Sequence, residues 1–228
     1  MTVLLVLFTF VAFLVIDHFY SKRHVIQPAI AMVAAKSTTE AVRAPRLQPN
    51  MVAGFQVPDN VRYHPGHTWA LSESPNLIRV GMDDFASHLI GKAETVTLPQ
   101  RGQWIRQGQK ICTFIRGGRK IDMVSPIEGS VTDINEALVK DPDMALRDPY
   151  GEGWLAQVQA PDAKTNFRNL LGGALARSWM EEAAVRLQRR LPQVAGALAQ
   201  DGGVAINDVA SQIPDEQFAE LTREFFLS

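Results

Sequence analysis

The sequence predicts a mainly β protein with added helices: a small sandwich or barrel in mid-chain, an apolar segment before it and a helical tail after it. Three observations carry this. Six β-like runs of four to six residues lie between Leu77 and Val158, with Gly and Pro between them. No charged residue occurs from Thr2 to Ile16, where Leu, Val, Phe and Ala dominate. After Pro161 the apolar residues change to helical spacing.

Taken in order, the apolar run is interrupted by Asp17, continues through Phe19 and Tyr20, and ends at the basic pair Lys22-Arg23. A cleavable signal peptide would begin with basic residues and end at small ones. Here nothing basic precedes the run, and Val15-Ile16-Asp17 is a poor cleavage site. With aromatic residues extending it into the interface, the run approaches the roughly 20 residues that span a bilayer. It is read as a retained transmembrane anchor over residues 1–23, in contact with lipid through residues 1–20. A signal peptide and a buried helix are the alternatives. Lys22, Arg23 and Lys36 follow the span, so the expected location is the cytoplasmic (inner) membrane, single-pass, with the domain on the cytoplasmic side.

Residues 24–56 read as a linker, with Pro28, Pro45, Pro49 and the polar cluster Ser37-Thr38-Thr39-Glu40. A short helix around Ala29 to Ala35 is an option. Strands are then expected at 77–80, 95–98, 110–115, 120–124, 130–134 and 155–158, with a helical interlude from Asp83 to Ile90. Beyond Pro161, Asp162 is the candidate N-cap of a long helix. Its stripe would be Leu171, Leu175, Trp179, Ala183, Leu187 and Leu191, ended by Pro192. A turn at Asp201-Gly202-Gly203 and a short helix from Asn207 follow. Pro214 opens a last helix bearing Phe218, Leu221 and Phe225.

Charge and motifs exclude several functions. The net charge is −1, with 23 Lys and Arg against 24 Asp and Glu, which argues against a bulk nucleic-acid binder. The one cysteine, Cys112, lies in the apolar run Ile111 to Ile115 and reads as a small buried hydrophobe. His64 and His67 flank Pro65-Gly66, which signals a turn, with no Cys or acid near enough to complete a metal set. There is no phosphate-binding loop and no nucleophile elbow, so the chain is not expected to be an enzyme.

Three segments carry a family resemblance. They are Tyr63-His64-Pro65-Gly66-His67-Thr68-Trp69 with Arg79 to Gly91, then Val96-Thr97-Leu98-Pro99 with Gly102 and Gly108, then Ser125-Pro126-Ile127-Glu128-Gly129 with Asn135 to Leu138 and Asp148-Pro149-Tyr150-Gly151-Glu152-Gly153-Trp154-Leu155. From Val57 to Glu182 their order and spacing resemble the glycine cleavage H protein family. The resemblance implies a lipoyl-type flattened β-barrel of two antiparallel sheets (a single hybrid motif) over residues 57–182, with flanking helices and residues 183–228 as a helical extension.

In that family lipoate is attached to a lysine at a hairpin tip, eight residues before the proline matching Pro126. The matching residue here is Gly118, which has no amine. Gly117-Gly118 suits a two-residue type I′ turn, so the turn is kept without its side chain. The resemblance thus implies a degenerate lipoyl position and no bound cofactor. Lys120, two residues on and on the same side of the strand, is the alternative amine. Ile115 stands where the family usually has a glutamate.

From Arg101 to Lys120 the chain holds Arg101, Arg106, Lys110, Arg116, Arg119 and Lys120 and no acid, whereas acids dominate from Asp122 to Glu152. Arg116, Arg119, Lys120, Phe218, Leu221 and Phe225 are the partner-facing candidates. The expected function is a membrane-anchored, non-catalytic docking or structural subunit of a larger membrane complex with protein partners. The alternatives are a lipoyl-type carrier modified at Lys120, and a membrane-surface binding module using a basic hairpin.

Overall fold

A computed structural model of the chain describes residues 50–191 and 208–227. The expected anchor, most of the linker with its Ala29 to Ala35 helix, and the Asp201-Gly202-Gly203 turn lie outside these residues. No helix among the described residues is long and apolar enough to cross a membrane.

The linker ends earlier than its sequence suggests. Met51–Val52 (β1) and Phe55–Gln56 (β2) form a hairpin. Ala53 and Gly54 both have positive φ at its turn, a geometry that matches the twist of the flanking strands. Phe55 is buried, with its ring 5.1 Å from that of Phe85. A single buried aromatic in a two-residue strand leaves too short a pattern to be read beforehand.

Two further sheets carry the fold. The larger contains Arg62–His64 (β3), Thr68–Ser74 (β4), Leu77–Met82 (β5), Trp104–Ile105 (β7), Gly129–Ile134 (β10) and Ala156–Gln159 (β11), in the order β3-β4-β5-β11-β10-β7. The smaller places Lys110–Arg116 (β8) between Thr95–Thr97 (β6) and Arg119–Val124 (β9). All pairings are antiparallel. Alternation of apolar and polar residues sends Ile78, Val80, Val131 and Val158 from one sheet, and Cys112, Phe114, Ile121 and Met123 from the other, into one buried cluster. Fully burying each large side chain there stabilises the fold by about 1.5–3 kcal/mol.

Asp84–Ile90 (α1) sits as the interlude predicts. The Asp83 carboxylate accepts from the Ala86 N–H at 2.8 Å, and Gly91, at φ 64°, ends the helix. Glu136–Lys140 (α2) and Met144–Arg147 (α3) are short, and the Asn135 side chain caps α2.

The long helix differs from its prediction. Asp162 precedes only a short helix, Ala163–Arg168 (α4), and the chain then breaks, pairing Leu171 with Tyr63 as an isolated bridge. Gly173–Arg190 (α5) begins after Gly172, and Gly173 itself has φ 56°. Its buried face is Ala176, Met180, Ala183, Ala184 and Leu187, while Leu175 is 62% exposed. Strict fourth positions drift by about 40° per step on a helix of 3.6 residues per turn, so a straight run of them cannot share one face over five steps. Val209–Gln212 is a 3₁₀ turn where a short helix was expected, and Asp215–Phe226 (α6) closes the described chain.

Candidate functional site

The hairpin of β8 and β9 is the candidate site. Its register pairs Arg116 with Arg119, Ile115 with Lys120, Phe114 with Ile121 and Thr113 with Asp122. That leaves Gly117 and Gly118 as a two-residue turn with φ values of 53° and 78°, the positive pair a type I′ turn needs. A Cβ added at either glycine would meet no heavy atom within 4 Å, so both positions open onto free space.

The two faces of the hairpin do different things. Cys112, Phe114, Ile121 and Met123 face the core. On the opposite face the Thr113 hydroxyl donates to Asp122 at 2.5 Å, Lys110 approaches Asp122 at 3.5 Å, and Lys120 is exposed. Lys120 takes part in no ion pair among the described residues.

Arg116 and Arg119 are held by the chain itself. Arg116 donates to the Ile90 carbonyl at 2.6 Å and pairs with Asp208. Arg119 pairs with Asp215, donates to the Ile213 carbonyl at 3.3 Å, and lies over the Phe218 ring at 5.0 Å. Their side chains are only 17% and 24% exposed. The Gly117 N–H donates to the Glu94 carboxylate at 2.9 Å. Beside the turn is a cleft of about 740 Å³ whose lining includes Lys92, Glu94, Arg116, Gly117, Arg119 and Asp215.

These contacts correct two expectations. The basic stretch does not form a free cationic end: Arg101 pairs with Asp133 and Glu136, and Lys110, Arg116 and Arg119 also meet acids. Segregation of charge along the sequence is undone when antiparallel strands and the C-terminal segment bring acids alongside. Phe218, Leu221 and Phe225 are 2%, 2% and 1% exposed, buried in the chain's own core and not offered to a partner. Of the six candidates, Lys120 alone is exposed. The sequence reading missed Glu94, Asp208 and Asp215; Asp215 was legible only as a first-turn acid, with nothing to link it to Arg119.

The histidines have packing roles. The His64 ring nitrogen accepts from the Gly66 N–H at 3.0 Å inside the turn, and burial, followed by the neighbouring His67, holds its pKa below the ordinary value. His67 is fully buried, 2.8 Å from the Asp83 carboxylate and stacked on Phe85 at 4.1 Å, with Trp179 at 4.6 Å. No group of three or more His, Cys, Asp or Glu able to hold a metal occurs among the described residues.

The long tract at Pro149 is likewise architectural. The Asp148 carboxylate accepts from the Gly151 and Glu152 N–H groups at 3.1 and 2.8 Å, and a Cβ at Gly151 would collide with that carboxylate. The Tyr150 hydroxyl donates to the Gln56 carbonyl at 2.7 Å, and the Pro149 carbonyl accepts from the Trp69 indole at 3.1 Å.

Two antiparallel sheets packed on one core, with a two-residue turn ending the β8–β9 hairpin of the smaller sheet, define a lipoyl-type domain. Comparison with known proteins makes this narrower. A family model described as glycine cleavage H-protein matches residues 61–183, more than half of the chain. The glycine cleavage system H protein of Alteromonas mediterranea is 35% identical over 107 residues, covering 47% of this chain and 83% of that protein. The protein of the same name from Psychrobacter cryohalolentis is 36% identical over 115 residues, covering 50% and 90%. A crystal structure of a glycine cleavage system H protein from Mycobacterium marinum aligns at 26% identity with a TM-score of 0.48, covering 54% of this chain and 97% of that one. The chain belongs to the glycine cleavage H-protein family.

Membership overturns the expectation of a non-lipoylated docking or structural subunit of a membrane complex. That reading rested on the missing tip lysine and the apolar N-terminus, whereas the family model and the named relatives point to the H protein's own kind of work.

An amide-linked group needs a primary amine on an accessible side chain. Gly118 supplies none, so the turn itself does not fit such a group. Lys120 supplies one, exposed on the outer face of the arm in the second cross-strand pair below the turn.

Proposed function

We propose that the chain is a non-catalytic carrier of the H-protein type, whose covalent group is attached through Lys120. Family membership supports the carrier part. The observation that carries the site is that Lys120 is an exposed amine on the arm next to the turn, opposite Ile115 in register.

A lipoyl group bound there would supply a redox-active disulfide on a long flexible arm, chemistry that no side chain of the hairpin provides. The chain's own residues position it. The glycine turn adds no bulk beside the lysine. Arg116, Arg119 and Glu94 hold the hairpin against the body from the other face. Protein partners would meet the hairpin at its outer face and turn, where Thr95, Thr97 and Lys120 are exposed. The test is tandem mass spectrometry of the peptide containing Lys120, from full-length protein made in cells that lipoylate H proteins. A lipoyl group on Lys120 is the expected result; an unmodified peptide contradicts it.

A further inference from the structure

A second cavity, of about 580 Å³, lies over α1. Its volume falls within the ~300–1,000 Å³ of small-molecule sites. Phe85 and Leu89 turn one face of α1 into the core, and Asp84, Ser87, His88 and Gly91, spaced three and four apart, form the face that floors the cavity. The β1–β2 hairpin adds Met51 to its lining, and the start of α3 adds Asp143 and Leu146.

The charges around the cavity are paired off with two exceptions. One oxygen of the Asp84 carboxylate accepts from the Gln56 N–H at 2.8 Å, and the other lies 3.4 Å from His88 Nδ1. Asp208 pairs with Arg116, and Arg147 pairs with Asp141 at 2.5 Å. Lys92 and Asp143 also line the cavity, and neither takes part in an ion pair among the described residues. The half-buried Asp143 carboxylate accepts from the Ala93 N–H at 3.1 Å, which leaves its second oxygen open.

His88 adds a third group. Its Nδ1 lies 2.7 Å from the Asp84 carbonyl, which can only accept, so Nδ1 carries a proton. With that proton in place Nδ1 cannot take one from the Ser87 hydroxyl 3.3 Å away, so the cluster offers a binding surface and not an activated nucleophile. Nε2, the other ring nitrogen, has no hydrogen-bond partner among the described residues.

We propose that this cavity binds a small zwitterion, an α-amino acid with an apolar side chain. Its carboxylate meets Lys92 and His88 Nε2, its ammonium meets Asp143, and its side chain lies against Met51 and Leu146. A ligand of single charge would leave one of the two protein charges without a partner, whereas a zwitterion neutralises both. The site shares no residue with the arm that carries Lys120, so it stands apart from the carrier reading.

Equilibrium dialysis of the full-length chain against labelled L-leucine tests this, with isocaproate and isoamylamine as analogues that each lack one charge. L-Leucine should bind at one site per chain, and each analogue should bind roughly 5-fold or more weakly. Lys92→Gln and Asp143→Asn should each weaken L-leucine binding by a similar factor. Both variants should melt as the wild type does, because Lys92 is exposed and asparagine keeps an acceptor for the Ala93 N–H. Lys92→Gln alone decides the matter should Asp143→Asn fail to fold. Absence of saturable L-leucine binding overturns the proposal, and so does an analogue that binds as well as L-leucine. Binding that survives both substitutions unchanged places the amino acid elsewhere and overturns the site.

Discussion

Replacing Phe225 with alanine separates a helix that completes the core from one that merely rests on it. Phe225 is 1% exposed, and its ring lies 5.0 Å from Phe85 and 5.9 Å from His67, with the Arg186 guanidinium 5.6 Å above it. Truncation removes a phenyl group from a packed cluster of fixed neighbours, a change that costs about 3–5 kcal/mol. For a folded unit of this size each kcal/mol lowers the melting point by about 2–4 °C, so the expected drop is roughly 6–20 °C. Thermal unfolding followed by circular dichroism gives the answer. An unchanged melting point in the isolated chain would refute the packing argument and return α6 to a partner.

Three other outcomes follow from the same structure. Burial lowers the His88 pKa, but the hydrogen bond and charge of Asp84, with Asp83 beyond it, outweigh this and leave it raised above 6.5. That stabilisation is complete below the unfolded value and is lost as pH rises through the raised folded one, so as pH rises above the ordinary histidine value the wild type should lose stability relative to His88→Asn. Parallel pH profiles of the two melting points would contradict this. Burial, followed by the charge of Asp122, pushes the Cys112 thiol well up, so a thiol reagent should label the chain only in denaturant, and rapid native labelling would contradict the core assignment. Gly118→Lys places a side chain in open space at φ 78°, so it should fold with a loss of about 1 kcal/mol; a much larger loss by chemical denaturation would mean the turn is not free.

Much of this was legible beforehand, for identifiable reasons. The runs at 110–115 and 120–124 alternate cleanly and flank Gly117-Gly118, and the observed hairpin departs from them by a single residue at one end of each strand. Phe218, Leu221 and Phe225 recur at helical spacing and are one face of α6. Features without a local pattern were hidden. Trp104–Ile105 is too short to show alternation, and Phe55 stands alone in its strand. The pairing of Arg116 with Asp208 and of Arg119 with Asp215 depends on tertiary approach, which local sequence does not encode. Of the long-helix stripe, Trp179, Ala183, Leu187 and Leu191 do face the core, whereas Leu175 is exposed and Leu171 lies before the helix, because Gly172 and Gly173 start the helix later than the spacing alone suggests.

The attachment of a group at Lys120 is tested most directly by intact mass. The full-length chain and a Lys120→Arg variant would be produced side by side with an H-protein lipoylating enzyme and lipoate. The carrier reading predicts that the wild type gains the mass of one lipoyl group and that Lys120→Arg, although folded, gains nothing. A wild type that stays at its unmodified mass, or a gain that survives in Lys120→Arg, would contradict it.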